Sequence, residues 1–189
     1  MDIAATPPSP LFSPDELFAE DEIDFDVPCL VNKNSICPFT VVVDSNEQSP
    51  YHFLSIEPFR IVPLSHRKLK TGDYSIESAS REFDPLVTIE RKSISDFLGS
   101  ITAGRERFER EFERMAEMRF AAVIVEGEFS QVLAHAREKT AIDLESIFGT
   151  VTSWMIRYRV HFWFCLSRRH AEMTTLRLLC QFWKEHKKK

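Results

Sequence analysis

The run Val87-Thr88-Ile89-Glu90-Arg91-Lys92, followed by Ser93-Ile94-Ser95-Asp96, constrains this chain more than any other segment. It reads as a buried β-strand that carries three consecutive charges. Side chains alternate faces along a strand, so Glu90 and Lys92 point one way and Arg91 the other. A buried carboxylate and a buried ammonium are both costly to remove from water, and that cost implies work for them. Metal chemistry is the work that fits, with Glu90 holding a divalent cation and Lys92 facing a negative group beside it. The plainer reading of the same spacing is an exposed hairpin with ordinary charges.

The preceding segment supplies a second carboxylate. Thr71 to Glu77 is expected to form a strand after a turn at Gly72, Ser78 to Pro85 a polar connection, and Leu86 to Lys92 the returning strand. An antiparallel hairpin centred on Arg81 and Glu82 would set Asp73 opposite Glu90, with Cβ atoms roughly 5 Å apart. Two carboxylates at that spacing can share one ion, and a slip of one residue would separate them.

Further strands are expected at Phe39–Asp44, Phe59–Leu64, Phe120–Glu126 and Val160–Leu166. Helices are expected at Ser93–Thr102, Arg105–Met118, Asp143–Arg159 and Arg169–His186, on apolar periodicity. The Phe120–Glu126 run is almost wholly apolar, as in an interior parallel strand. Ser93-x-x-Asp96 is a capping box, which gives Asp96 a structural reading beside a catalytic one. Alternating strands and helices after the hairpin argue for an α/β fold, a mixed β-sheet flanked by helices.

Charge divides the chain in two. Residues 1–37 hold eight acids against Lys33 and so carry −7 of the total −5, which leaves +2 for the rest. With its prolines, this acidic stretch is expected to be a disordered tail ahead of a domain at 38–189. Interleaved aromatics such as Phe12, Phe18 and Phe25 suit partner docking or nucleic-acid mimicry, beside the plainer role of a solubilising tail. The nearly neutral remainder does not oppose DNA binding. No apolar run approaches a membrane span and no signal peptide is evident, so an intracellular protein without membrane association is expected. It would be cytoplasmic in a prokaryote or virus and nuclear in a eukaryote. Cys165 and Cys180 lie in apolar segments and read as reduced core residues, while Cys29 and Cys37 are open to pairing or to zinc.

Val41-Val42-Val43-Asp44-Ser45-Asn46-Glu47, then Gly72-Asp73-Tyr74, then Glu90-Arg91-Lys92-Ser93-Ile94-Ser95-Asp96, together resemble the nuclease domain of the XPF family. Gly104-Arg105 before an amphipathic helix and the strand end Ile124-Val125-Glu126-Gly127 also fit. The resemblance is strong from Thr40 to Gly127, looser to Lys184, and does not cover the first 37 residues. It implies a restriction-endonuclease-like fold. It also implies a metal-dependent endonuclease acting on branched, flapped or nicked DNA in repair, recombination or replication. Pairing into a homodimer, or with a related subunit, is a further implication. Helicase and tandem helix-hairpin-helix regions are not found in these residues, so junction specificity is expected to come from an outside partner.

Phosphodiester hydrolysis needs an activated water and neutralised phosphate charge, which a divalent metal supplies. Mg²⁺, or Mn²⁺ in its place, prefers oxygen ligands. Asp73 and Glu90 are the expected ligands, joined by Asp44 directly or through water. Glu47 is expected to orient a water or bind a second ion. Lys92, with a pKa depressed beside the metal, is expected to position the attacking water or stabilise developing charge. Arg91 is expected to buttress the fold or pair with an acid beneath the site. Arg105 is open between a phosphate contact and a solvated helix arginine, and Glu126 is read as structural. Two other functions compete. One is a catalytically silent DNA-binding subunit, against which the retained acids count. The other is an adaptor working through the tail, which deletion of residues 1–36 would abolish.

Overall fold

A computed structural model of the chain describes residues 35–54, 56, 58–78, 81–82, 86–139 and 142–186. The expected tail through residue 34, Cys29 and the terminal lysines lie outside the described residues.

The frame is a mixed sheet built on the apolar β-branched runs. Strands β2 (Thr40–Asp44), β4 (Leu64–Arg67), β5 (Tyr74–Ser78), β7 (Val87–Ser93), β8 (Phe120–Glu126) and β9 (His161–Phe164) lie in the order β4-β2-β5-β7-β8-β9. The short strand β6 (Arg81–Glu82) pairs back on β5. β5 runs antiparallel to both β2 and β7, whereas β4 lies parallel to β2, and β7, β8 and β9 are parallel to one another. β7 therefore joins the antiparallel strand β5 to the parallel run β8 and β9. β8, buried from Ala121 to Val125, sits inside that parallel run, as its apolar sequence requires.

The single strand expected at Phe59–Leu64 is two strands. β3 (Phe59–Ile61) pairs with β1 (Ser35–Ile36) in a separate small sheet, and β4 pairs with β2. Pro63 between them has no N–H to give a ladder, and its carbonyl instead accepts from Val41 N at 2.9 Å.

Alternation along the strands sorts the core onto two faces. Val41, Val43, Tyr74, Ile76, Val87, Ile89, Ala122 and Ile124 face helix α5 (Arg168–His186), which contributes Ala171, Leu176, Leu179 and Phe182. Ala121, Val123 and Val125 face the other way. There they meet α1 (Ile94–Ile101), α2 (Arg105–Met115), α3 (Phe129–Lys139) and α4 (Leu144–Tyr158). α3 was not expected: only its Val132 and Ala136 are buried, too thin an apolar stripe to stand out in sequence. Helices on both faces of a mixed sheet give the α/β architecture read from the sequence. Cys37, Cys165 and Cys180 are buried thiols that form no disulfide.

The late helices correct one expectation. Trp154, Leu176, Leu179 and Phe182 were expected to leave apolar surface for an interface, but all are buried, and Tyr158 and Trp183 are half-buried. Trp154 packs against Phe108, Phe112 and Phe162, so the monomer core consumes it. Among the described residues no helix is long and apolar enough to cross a membrane.

Candidate active site

The hairpin register brings the two carboxylates to one place. Tyr74 pairs with Ile89, so one step further along the antiparallel pair sets Asp73 against Glu90. Asp73 N donates to Ile89 O at 2.9 Å, and its carbonyl accepts from Asp44 N at 2.8 Å, which ties β2, β5 and β7 together at one level. Gly72 makes the approach possible. Its φ is +71°, and a Cβ there would stand 2.0 Å from Thr88 Oγ1. β6 folds back on β5 in its own register, with Ser78 opposite Arg81, so the connection expected as a plain loop contains a small hairpin.

Asp44, Glu47, Asp73 and Glu90 all line one cleft of about 210 Å³. Lys92 is not among the lining residues and meets the cleft through Glu90, whose Oε1 accepts from Lys92 Nζ at 2.5 Å. The ammonium also lies 4.8 Å from the centre of the Phe108 ring, which screens it from solvent. Sequence reasoning missed four lining residues: Glu111 and Arg114 from α2, and Lys68 and Lys70 from the segment after β4. Their only sequence signal was charge on amphipathic or polar stretches, which does not reveal where a helix docks.

The carboxylates differ sharply in surroundings. Asp44, 4 % exposed, accepts from Leu69 N and Asn46 N at 2.7 Å and from Lys68 Nζ at 3.1 Å. Burial alone would raise its pKa, but these donors hold it below the ordinary value. Asp73 has one donor, Arg91 N at 2.7 Å. Burial pushes its pKa up to about 7, with Glu47 and Glu111 adding to the rise and the Arg91 N–H and Lys92 opposing it. Glu90, 5 % exposed, is raised well above its ordinary value by burial and by Asp73, against the pull of Lys92. At Lys92, burial pulls the pKa down, yet Glu90, Asp73 and Glu111 outweigh that and hold it above the ordinary value. The depressed value expected for this lysine belongs to the site with a metal bound.

Three expected residues stand apart from the cleft lining. Arg91 points to the opposite face, where its Nε and Nη2 fork onto Glu126 at 2.8 and 2.9 Å, and its Nη1 lies 3.5 Å from Glu47. Arg91 thus pairs with an acid beneath the site, and Glu126 has the structural partner expected of it. Asp96 joins the N-terminal cap of α1, though not as a full capping box: Ser93 Oγ accepts from Asp96 N at 3.1 Å, and the Asp96 carboxylate accepts from the Ser93 hydroxyl at 2.7 Å. Arg105 pairs with Glu109 at 3.1 Å and lies 5.6 Å from the Trp154 ring centre.

The ligating groups of the cleft are carboxylates, and burial and neighbouring acids raise Asp73 and Glu90 in a way that a bound cation would relieve. This set fits a hard divalent ion in chemistry. Among the described residues, no three ligating side chains stand close enough to form a ready-made cage.

Comparison with known proteins agrees with the fold. The chain matches the ERCC4 domain over residues 43–178, most of its length, and belongs to that family. No curated protein matches it significantly in sequence. Among solved structures it is similar to XPF from Aeropyrum pernix, with a TM-score of 0.56 and 18 % identity over 78 % of this chain and 66 % of that one. It is also similar to the same organism's XPF in complex with DNA, with a TM-score of 0.55 and 21 % identity over the same shares. The chain spans just under two thirds of these neighbours, and at such identities the likeness is one of fold.

Proposed function

We propose that this chain is a divalent-metal-dependent endodeoxyribonuclease that cuts phosphodiester bonds in branched, flapped or nicked DNA. The observation that carries the reading is the pairing of Asp73 with Glu90 across β5 and β7 in one acidic cleft, with Lys92 on Glu90. Membership of the ERCC4 domain family supports it, as does a fold shared with an XPF captured on DNA. Asp73 and Glu90, with Asp44, would hold Mg²⁺ or Mn²⁺. That ion would polarise the phosphate and lower the pKa of the attacking water. Lys92 enters as an ammonium and offsets charge that develops on the phosphate. Glu47, on the loop after β2, would orient water, and the exposed Lys68 and Lys70 would offer phosphate contacts at the rim.

A cleavage assay on flap, fork, four-way and linear DNA with Mg²⁺ or Mn²⁺ tests the reading. Divalent-dependent cutting that prefers a branched substrate and disappears in Glu90→Gln is expected. No cutting of any substrate by the wild type would sink it.

A second reading, a catalytically silent DNA-binding subunit, draws on the absence of a ready-made cage among the described residues and on Lys68 holding Asp44. DNA binding without cleavage in the same assay would favour it. Pairing with a second copy or a related subunit is supported by exposed Phe148 and Ile156 on α4 and Trp163 on the edge strand β9. Light scattering at micromolar concentration checks this, and a monomer mass with and without branched DNA excludes the homodimer.

A further inference from the structure

On the α5 face of β7 lies a charge network that the cleft chemistry does not use. Glu126 accepts the Arg91 fork and also accepts from Arg168 Nη1 at 2.7 Å. The other arm of Arg168, Nη2, donates to the carbonyls of Ser49 at 2.7 Å and Pro50 at 3.2 Å. One turn further along α5, Glu172 Oε1 accepts from His52 N at 3.1 Å and Phe53 N at 2.5 Å. Phe53 sits at φ +52°, a left-handed conformation that a phenylalanine rarely holds without outside support. Arg168 and Arg91 both stack on the Tyr51 ring, at 5.0 and 5.8 Å.

The segment gripped in this way is the loop that leaves β2 after Asp44 and carries Glu47. Glu47 lines the cleft, its side chain is 8 % exposed, and it forms an ion pair with Arg91. A carboxylate that must orient a water needs its backbone fixed to a fraction of an ångström. Local bonds hold its first turn, with Glu47 N donating to Asp44 O at 3.0 Å, Ser45 N to Arg67 O at 3.1 Å and Asn46 N to Asp44 Oδ1 at 2.7 Å, and Tyr51 N donates to the Tyr74 hydroxyl. Between these anchors, the Ser49 and Pro50 carbonyls are gripped by α5, more than a hundred residues away.

We infer that Arg168 is a positioning residue of the active site: it fixes the loop of Glu47 directly and steers Arg91 toward Glu47 through Glu126. The inference rests on the endonuclease reading above and adds a residue that touches neither the cleft nor the reacting atoms. A lysine would keep the charge facing Glu126 but could not fork onto two carbonyls as well.

The test compares wild type, Arg168→Ala, Arg168→Lys and Ile147→Ala in single-turnover cleavage, well below each melting temperature. Ile147 is buried on the opposite face of the sheet and serves as a control for simple loss of fold stability. Arg168→Ala is expected to lower kcat about ten- to a hundred-fold while KM for DNA holds within about two-fold. Arg168→Lys should recover part of that rate, and amide exchange over residues 45–53 should quicken in Arg168→Ala alone. Full kcat in Arg168→Ala, or an equal loss in Ile147→Ala, overturns the inference and leaves the endonuclease reading standing. A wild type that never cuts removes that reading, and the inference with it.

Discussion

The two faces of strand β7 handle buried charge in opposite ways. Toward α1 and α2, Asp73, Glu90 and Glu111 crowd round one ammonium, Lys92, and Asp73 and Glu90 are pushed toward protonation. Toward α5, Arg91 and Arg168 meet Glu126 and Glu47 in forked and stacked geometry that satisfies both signs. Three consecutive residues, Glu90, Arg91 and Lys92, feed both faces by strand alternation alone. A buried charge set that serves only the fold is expected to be matched, because each unmatched ion costs several kcal/mol. The unmatched face is therefore where a ligand belongs, and the matched face is what holds it in shape.

Substitutions should separate the two faces. The largest effect belongs to the unmatched one: Asp73→Asn or Glu90→Gln should lower cleavage on the order of 10²–10³-fold, with DNA binding nearly intact and the melting temperature unchanged or raised. A melting temperature that falls in step with activity would show that these acids support the fold. On the matched face, Glu126→Ala removes the carboxylate that Arg91 and the partly exposed Arg168 share and should cost ~1.5–3 kcal/mol of stability in denaturant melts. A loss under ~1 kcal/mol would mean that the network is solvated and exerts no grip.

Acidity offers a third separation. The pKa of Asp73 rises from an ordinary 3.8 to about 7 in the folded protein, so the fold binds that proton more tightly than the unfolded chain does. Stability from this group is complete below about pH 4 and lost as pH rises toward 7. In buffer free of divalent ions, melts from pH 4 to 8 should show that decline, Asp73→Asn should flatten it, and Mg²⁺ should restore stability at the upper end. A flat wild-type profile would mean that burial does not hold the Asp73 proton. The smallest effect concerns the helix that follows β7. Ser93→Ala should cost about 1 kcal/mol through loss of the cap with cleavage unaltered, and Asp96→Asn should likewise keep cleavage. Loss of cutting in Asp96→Asn would bring that carboxylate into the site.

Much of this was legible in the chain itself, for identifiable reasons. Strand parity and the glycine turn at Gly72 dictate the placement of Asp73 against Glu90, since both lie within a single hairpin. The apolar run at Phe120–Glu126 announced its interior place, and the Ser93-x-x-Asp96 pattern marked the start of α1. Glu111, Lys68 and Arg168 were not legible, because each reaches its position through the docking of an element whose sequence says only that it is amphipathic or polar. The break at Pro63 was readable in principle, since a residue without an N–H interrupts a ladder. The apolar side chains of the late helices misled for another reason. Composition shows how much greasy surface a helix owns but not how much of the sheet is left to cover it.

The distances along the chain over which the two faces assemble differ as much as their charges do. Asp73 and Glu90 meet across one short hairpin, whereas Arg168 reaches back to Ser49 across 119 positions. Local pairings close early in folding, and long-range ones wait on the entropy of a large loop. A chain emerging from the ribosome can thus gather its acids well before it can fix Glu47. Cutting competence would arrive only when the last helix docks, so an unfinished molecule would carry the acidic cleft without the means to aim it.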